Sequence, residues 1–150
     1  LGDPNPDFFY SFNTNVKYKQ FDLSLQLYGV QGGQVWDFQK MTPSRQLQRW
    51  TPDNPSNEYP RANGTRGYRA SDFYLTDGSF LRIQNVTIGY NLKAETIRFI
   101  KSLRLYLSGN NLYTFTKFNK GFDPEVGESG INNGAYPRPR AVSLGLNVIF

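Results

Sequence analysis

Residues 141–150 read AVSLGLNVIF, and this stretch decides the fold class. Every second side chain is apolar: Val142, Leu144, Leu146, Val148 and Phe150. A period of two with small or polar residues between predicts a β-strand with one apolar face. An edge strand in water usually carries a charge or a proline that blocks further pairing, and this stretch has neither. We therefore expect another strand to cover its edge, as in a closed barrel.

The same alternation occurs in four earlier segments. The predicted strands cover about residues 8–18, 21–31, 79–92, 103–116 and 140–150. Phe8 and Tyr18, at the ends of the first strand, are ten residues apart. That separation is close to the roughly 9–11 residues that a tilted strand needs to cross a bilayer. Aromatic side chains at both ends of an apolar strand face are typical of the girdles of a membrane barrel.

Two of these strands have an imperfect pattern. In residues 79–92 one parity runs through Phe80, Arg82, Gln84 and then Val86, so the prediction places all of them on the apolar face. The apolar side chains of this face are concentrated in the later half of the strand. In residues 103–116 Asn111 interrupts the apolar parity. A β-bulge near Gly109 would explain that interruption.

The connections between the predicted strands alternate between short and long. The short ones are Lys19-Gln20 and Lys93–Ser102, the second with a helical turn at Ala94–Phe99. The long ones are Gly32–Asp77, with a short helix at Val35–Met41, and Lys117–Pro139. Tight turns on one side and long loops on the other are typical of outer-membrane barrels.

These patterns predict an all-β protein whose five antiparallel strands belong to a transmembrane β-barrel with long extracellular loops. The apolar faces would contact lipid, and polar side chains would line the lumen: Asn13, Asn15, Asp22, Gln26, Asn91, Arg104 and Asn147. Five strands cannot close a membrane barrel, because open edges in hydrocarbon leave backbone groups unpaired. The chain also begins without a signal peptide. It is therefore expected to be either a cytoplasmic protein or, as the strands favour, a piece of a longer one.

Composition narrows the possible functions. The chain has no Cys and no His, which removes thiolate nucleophiles, zinc–thiolate sites and the commonest general base. We predict no enzyme activity, no cofactor and no metal site. The net charge is +5, but acidic residues are interspersed with the basic ones and no basic run occurs, which argues against nucleic-acid binding.

Five sequence blocks, in order, resemble a known family. They are GDPNPDF at 2–8, DGSFLRIQNVTIGY at 77–90, LYLSGNNL at 105–112, GFDPE at 121–125 and YPRPR at 136–140. Together they resemble the C-terminal part of SusC/RagA-type TonB-dependent outer-membrane transporters, and the resemblance covers essentially the whole chain. One departure is the Leu92-Lys93 turn, which lacks the proline frequent in the family.

The resemblance implies a barrel of about 22 strands, closed by an N-terminal plug domain. It implies the outer membrane of a Gram-negative bacterium, a SusD-like surface lipoprotein as partner, and import of large nutrients such as glycans or oligopeptides. Energy would come from the TonB–ExbB–ExbD complex through an N-terminal box; neither box nor plug is in this chain. Phe150, at the end of the last strand, resembles the signal recognised by the barrel-assembly machinery. The plainer interpretation of Phe150 is an interface aromatic, and both roles are compatible.

The first long loop carries the candidate substrate-binding residues Trp36, Trp50, Tyr59, Arg49 and Arg61. Sugars stack on aromatic faces, and arginine binds carboxylate or sulfate groups. The alternative, which we favour, is that these side chains pack the loop against its neighbours and against the SusD-like lipoprotein, because a long ordered loop needs its own apolar core.

Two other clusters have competing interpretations. Arg104 would either touch passing substrate or hold the plug through an ion pair, and we favour the plug. Asp123, Glu125 and Glu128 would either hold calcium, act as an acid/base pair or form a turn, and we favour the turn.

For the whole chain the alternative predictions are a secreted β-sandwich that binds carbohydrate and an all-β hydrolase. A sandwich would bury its apolar faces and have short loops at both ends.

Overall fold

The computed structural model describes residues 2–41, 47–61, 70–92, 99–118, 123–134 and 136–150. These residues form strands and two short 3-10 turns, Phe38–Met41 and Asp72–Tyr74, without an α-helix. The strands are β1 Phe8–Tyr18, β2 Phe21–Gln31, β3 Gln34–Asp37, β4 Leu75–Asp77, β5 Phe80–Leu92, β6 Ser102–Thr116, β7 Ile131–Asn132 and β8 Ala141–Ile149. The predicted all-β class is confirmed. No helix in this part of the chain has the length and apolar character needed to cross a membrane.

The chain divides into two compact units, and the larger strands form one of them. This unit holds a five-stranded antiparallel sheet in the order β1-β2-β5-β6-β8. The ends of its strands lie within one residue of the predicted ranges. β1 and β2 are joined by the predicted tight turn at Lys19-Gln20, where Tyr18 pairs with Phe21 and Lys19 has φ +53°. A positive φ is what the two-residue turns of hairpins require.

The register of the sheet separates an apolar face from a polar one. One row across all five strands consists of Val16, Leu23, Ile88, Leu107 and Leu144. The next row along the strands consists of Asn15, Ser24, Thr87, Ser108 and Ser143. Because directly opposed residues share a face and neighbours alternate, the register places these apolar residues on one face of the sheet and these polar residues on the other.

Within the described residues, the apolar face of the sheet is largely exposed. Val16 is 52%, Ile88 50% and Leu144 74% exposed. A soluble domain rarely leaves a contiguous apolar patch of this extent open to water. The sandwich alternative requires these side chains to be buried, so it does not fit the structure.

A bulge in β5 reverses the facing of its first residues. Gln84 has no partner in either ladder, because Ile83 and Asn85 pair with consecutive residues of β2, Leu27 and Gln26. One extra residue moves every following side chain to the other face. Ile83 therefore lies on the apolar face, opposite Leu27.

Two predictions for this region need correction. Phe80 and Arg82 lie on the polar face, opposite Val30 and Tyr28, and not on the apolar face with Val86. The reason is the bulge, which a period-two pattern does not show. In β6 the irregularity expected near Gly109 lies two residues further on, where Asn111 has φ +50°.

The other unit consists of residues 1–7, 32–79 and 117–137. In its described part, β3 is the central strand of a three-stranded sheet, antiparallel to β4 and parallel to β7. The short helix predicted at Val35–Met41 is wrong in its first half, because residues 34–37 pair as β3, and only Phe38–Met41 forms a 3-10 turn. Of the predicted Lys93–Ser102 connection, residues 93–98 lie outside the described residues, and Ser102 already belongs to β6.

Candidate functional site

An aromatic row forms the core of the loop unit. The Trp36 ring stacks on Tyr74 at 5.1 Å and meets Phe38 at 6.2 Å. Tyr74 contacts Phe73 at 5.2 Å, and Phe73 contacts Tyr59 at 6.1 Å, both edge to face. Such pairs contribute about 0.5–1.5 kcal/mol each beyond their buried area. Two of the predicted binding residues, Trp36 and Tyr59, therefore lie within this packed row, and Tyr59 is buried.

The other three predicted binding residues are at the surface. Trp50 is 36% exposed, and Arg49 and Arg61 are exposed as well. The Trp50 backbone N–H donates to the Tyr59 carbonyl at 3.0 Å, which brings residues 50 and 59 together. Residues 51–54 form a turn, since Thr51 and Asn54 exchange two backbone hydrogen bonds of 3.1 Å. The segment 49–61 thus presents one aromatic, two cationic and two acidic side chains outward, the acidic ones being Asp53 and Glu58.

Lys40 holds the ends of this core together, and sequence patterns did not single it out. Its Nζ donates to the carbonyls of Phe73 at 2.6 Å and Leu75 at 3.1 Å, and it lies 5.4 Å from the centre of the Phe73 ring. A cation beside the last carbonyls of a helical turn is favourable, because those carbonyls carry partial negative charge. Lys40 thereby fixes the 3-10 turn at residues 72–74 against the entry to β4.

Asp37 and Asn132 form a buried polar pair, both 0% exposed. The Asn132 amide donates to Asp37 Oδ1 at 2.8 Å, and Asp37 Oδ1 also accepts the Gln39 N–H at 3.0 Å. Asn132 Oδ1 accepts the Gly134 N–H at 3.0 Å. Sequence reasoning missed this pair because its members are 95 residues apart and neither stands in a recognisable motif.

Two carboxylates shape turns in the same unit. Hydrogen bonds from the Ser79 hydroxyl and backbone N–H hold the pKa of Asp77 below its usual 3.8, so this carboxylate is charged at neutral pH. Asp123 Oδ1 accepts the Glu125 N–H at 3.0 Å, which is the geometry of the turn favoured above. Glu128 is exposed.

On the polar face of the large sheet, Arg104 of β6 reaches Asp22 of β2 across the intervening strand β5. Arg104 Nε lies 3.0 Å from Asp22 Oδ2, and Nη2 lies 2.5 Å from Oδ1. The β5 residue under this bidentate pair is Gly89, where a Cβ would stand 2.5 Å from Asp22 Oδ2 and 2.6 Å from Arg104 Nε. The missing side chain at Gly89 therefore gives the pair its room. Asn91 adds a third contact, with Nδ2 2.9 Å from Asp22 Oδ2.

This arrangement bears on the predicted role of Arg104. Arg104 forms its ion pair within the sheet, since Asp22 takes both of the forked donors, and a contact with a plug domain stays a prediction. Arg104 also lies 5.1 Å from the centre of the Tyr106 ring. Of the other predicted lumen residues, Gln26 is exposed beside Asn13 and Asn85, and Asn147 is exposed directly opposite Arg104.

The rest of the polar face is a hydrogen-bonded ladder. Asn85 Nδ2 donates to Asn110 Oδ1 at 2.8 Å, and the Thr87 and Ser108 hydroxyls are 3.0 Å apart. These short polar side chains keep this part of the face hydrophilic. At the end of the chain, Phe150 is 76% exposed.

No family model matches the chain. It is 34% identical over 174 residues to the TonB-dependent receptor P26 of Formosa agariphila, and 33% identical over 171 residues to receptor P3 of the same organism. It is 31% identical over 157 residues to the TonB-dependent receptor SusC of Bacteroides thetaiotaomicron. These alignments cover 98–100% of this chain but only 15–18% of the relatives.

Solved structures show the same fold. The RagAB peptide importer in its open-open state superposes with a TM-score of 0.80 over 97% of this chain and 17% of the importer chain, at 24% identity. Its closed-closed state gives 0.78 over 96% of this chain. The five-stranded sheet is therefore part of a barrel wall. The chain belongs to the SusC/RagA type of TonB-dependent receptors, and it is a segment of their β-barrel.

Proposed function

We propose that this chain is the C-terminal wall segment of an outer-membrane transporter that imports large nutrients, glycans or oligopeptides, in a Gram-negative bacterium. The observation that carries the proposal is the sheet with two unlike faces. Its exposed apolar face, with Leu144 74% exposed, is matched to lipid. Its hydrogen-bonded polar face is matched to a wet lumen. The relatives, named as receptors and an importer, support transport and not catalysis.

The strand order supports an orientation for this segment. Both long connections, between β2 and β5 and between β6 and β8, leave the same end of the antiparallel sheet. In an outer-membrane barrel that end faces outward. The loop unit would then meet arriving substrate and a SusD-like lipoprotein. Energy from the TonB–ExbB–ExbD complex would act through parts of the protein beyond this segment.

Within the loop unit, we assign substrate contact to the exposed residues and support to the packed ones. Trp50 offers an aromatic face to a sugar ring or a peptide side chain, and Arg49 and Arg61 offer donors to anionic groups. Trp36 and Tyr59 would hold the shape of the surface from beneath, through the aromatic row.

Uptake by the full-length protein tests this function. Cells that express it should take up a labelled oligosaccharide or oligopeptide from a mixed panel, and the uptake should stop when TonB is deleted. Trp50→Ala should then lower uptake about fivefold, because a lost stacking partner costs on the order of 1 kcal/mol. Asn57→Ala, an exposed change in the same segment, is the matched control and should have no effect.

Different results would contradict different parts of the proposal. Uptake that persists without TonB would contradict an energised transporter. TonB-dependent uptake that is unchanged by Trp50→Ala and Arg49→Ala would contradict only the assignment of the surface residues. The amount of folded protein in the membrane should be measured for each variant, so that lost uptake is not caused by lost barrel.

A further inference from the structure

We propose that Asn132, in the second long connection, is a positioning residue for the substrate surface carried by the first long connection. For the identity of that surface the inference rests on the proposed function. For the mechanical link between the connections it rests on the geometry of β3 and β7. Neither the relatives nor the sequence blocks assign a role to Asn132.

The backbone provides the first part of the link. The Trp36 N–H donates to the Gly130 carbonyl at 2.7 Å, and Trp36 and Asp37 pair in parallel with Ile131 and Asn132. Parallel pairing of only two residues is a weak ladder on its own. Side chains must therefore contribute to holding β7 beside β3.

The buried Asp37–Asn132 pair makes that contribution. Its hydrogen bond of 2.8 Å joins the two strands at their C-terminal ends, where both side chains are 0% exposed. Each oxygen also accepts a backbone N–H on its own side, from Gln39 and from Gly134. The pair thus orders the turn that follows each strand. Removing one partner of a fully buried hydrogen bond leaves the other polar group unsatisfied, so loss of the amide should be felt in both connections.

A displacement of β3 would pass to the surface through contacts already described. β3 carries Trp36, which stacks on Tyr74, and the row continues through Phe73 to Tyr59. The Tyr59 carbonyl in turn accepts the Trp50 N–H. Packed rings transmit small shifts because protein interiors have little free volume. Asn132 therefore acts on Trp50 through this series of intermediate contacts.

Limited proteolysis of the full-length protein in membranes tests the link. Asn132→Ala should speed tryptic cleavage at the exposed Arg49 and Arg61 by about fivefold or more, because local opening becomes easier. Asn133→Ala, an exposed neighbour, should leave the rate unchanged. Heat-modifiable migration on gels should show that the barrel stays folded in both variants. Unchanged cleavage at Arg49 and Arg61 in a folded Asn132→Ala protein would overturn the proposal.

Exchanging the side chains of Asp37 and Asn132 tests whether their hydrogen bond, and not only their volume, holds the two strands together. Asn132→Asp places two carboxylates opposite each other in a buried site and should raise the cleavage rate. Combining it with Asp37→Asn restores one amide and one carboxylate and should return the rate towards that of the original protein. Failure of the double variant to recover, with its barrel folded, would overturn the pairwise account.

A third measurement covers variants that do not fold. The chain has no cysteine of its own, and residues 37 and 132 are direct partners in the ladder. With Asp37→Cys and Asn132→Cys a disulfide should form in the membrane-inserted protein, since opposed strand residues have suitable Cα separations. A folded barrel in which the two thiols do not cross-link would contradict the link. Because no readout here is uptake, the result is independent of the transport assay.

Discussion

Leu25→Arg in the full-length protein is expected to reduce the folded barrel in the outer membrane by at least tenfold. Leu25 lies at the middle of β2 on the apolar face, directly opposite Thr14 and Val86. A charged side chain on the lipid face costs roughly 2–4 kcal/mol at the bilayer midplane, and ~1.4 kcal/mol is a factor of ten. The measurement is the fraction of protein with heat-modifiable migration in isolated outer membranes.

Gln26→Arg is the matched control for this prediction. Gln26 is the next residue in the same strand, but it lies on the polar face beside Asn13 and Asn85. An arginine there would remain in the wet lumen, so the folded fraction should stay close to that of the original protein. Asn147 is a poorer control position, because Arg104 lies directly opposite it. Equal tolerance of Leu25→Arg and Gln26→Arg would contradict the assignment of the faces.

Deletion of Gln84 is expected to have the largest effect of any one-residue change in β5. Without the bulge residue, only one half of the strand can keep its present pairing, and the other half must shift by one residue. If the later half keeps it, Phe80 and Arg82 turn to the apolar face, and Leu81 and Ile83 turn to the polar face. The lost strand pairing is then not the only cost. An arginine that faces lipid costs roughly a further 2–4 kcal/mol near the bilayer midplane, and less towards the membrane surface.

Gln84→Ala separates the role of the bulge from that of the side chain. This variant keeps the chain length and therefore the facing of every other residue, so it should assemble nearly normally. The deletion should leave little heat-modifiable barrel in the same assay. A deletion variant that assembles as well as Gln84→Ala would show that the register on either side of residue 84 is not as we describe it.

The sequence was most informative where one face of a strand is uniformly apolar. Alternation in residues 141–150 fixes the facing of β8, and the same reasoning holds for β1 and β2, because a slip by one residue would turn every leucine towards water. The alternation failed in the first half of β5. A single added residue changes parity without changing composition, so the pattern alone placed Arg82 on the wrong face.

The loop unit was less predictable for a different physical reason. Its order comes from contacts between residues distant along the chain, such as Asp37 with Asn132 and Lys40 with the carbonyls of residues 73 and 75. Local patterns carry no signal for such pairs. The same distance explains why residues 35–37, predicted as the first half of a short helix, form a strand once β4 and β7 supply hydrogen-bonding partners. The sequence predicted binding roles for Trp36, Trp50 and Tyr59 together, but their division into packed and exposed side chains required the structure.

The central claim is that this sheet is a membrane barrel wall with a bulge at Gln84. An accessibility scan of the full-length protein in a lipid bilayer tests this claim most directly. Nitroxide labels placed singly at residues 23–27 and 81–86 would be exposed to oxygen, which concentrates in lipid, and to a water-soluble nickel complex. The account predicts preference for oxygen at residues 23, 25, 27, 81, 83 and 86, and preference for the nickel complex at residues 24, 26 and 85. Equal accessibility at all positions would contradict the barrel, and unbroken alternation from 81 to 86 would contradict the bulge.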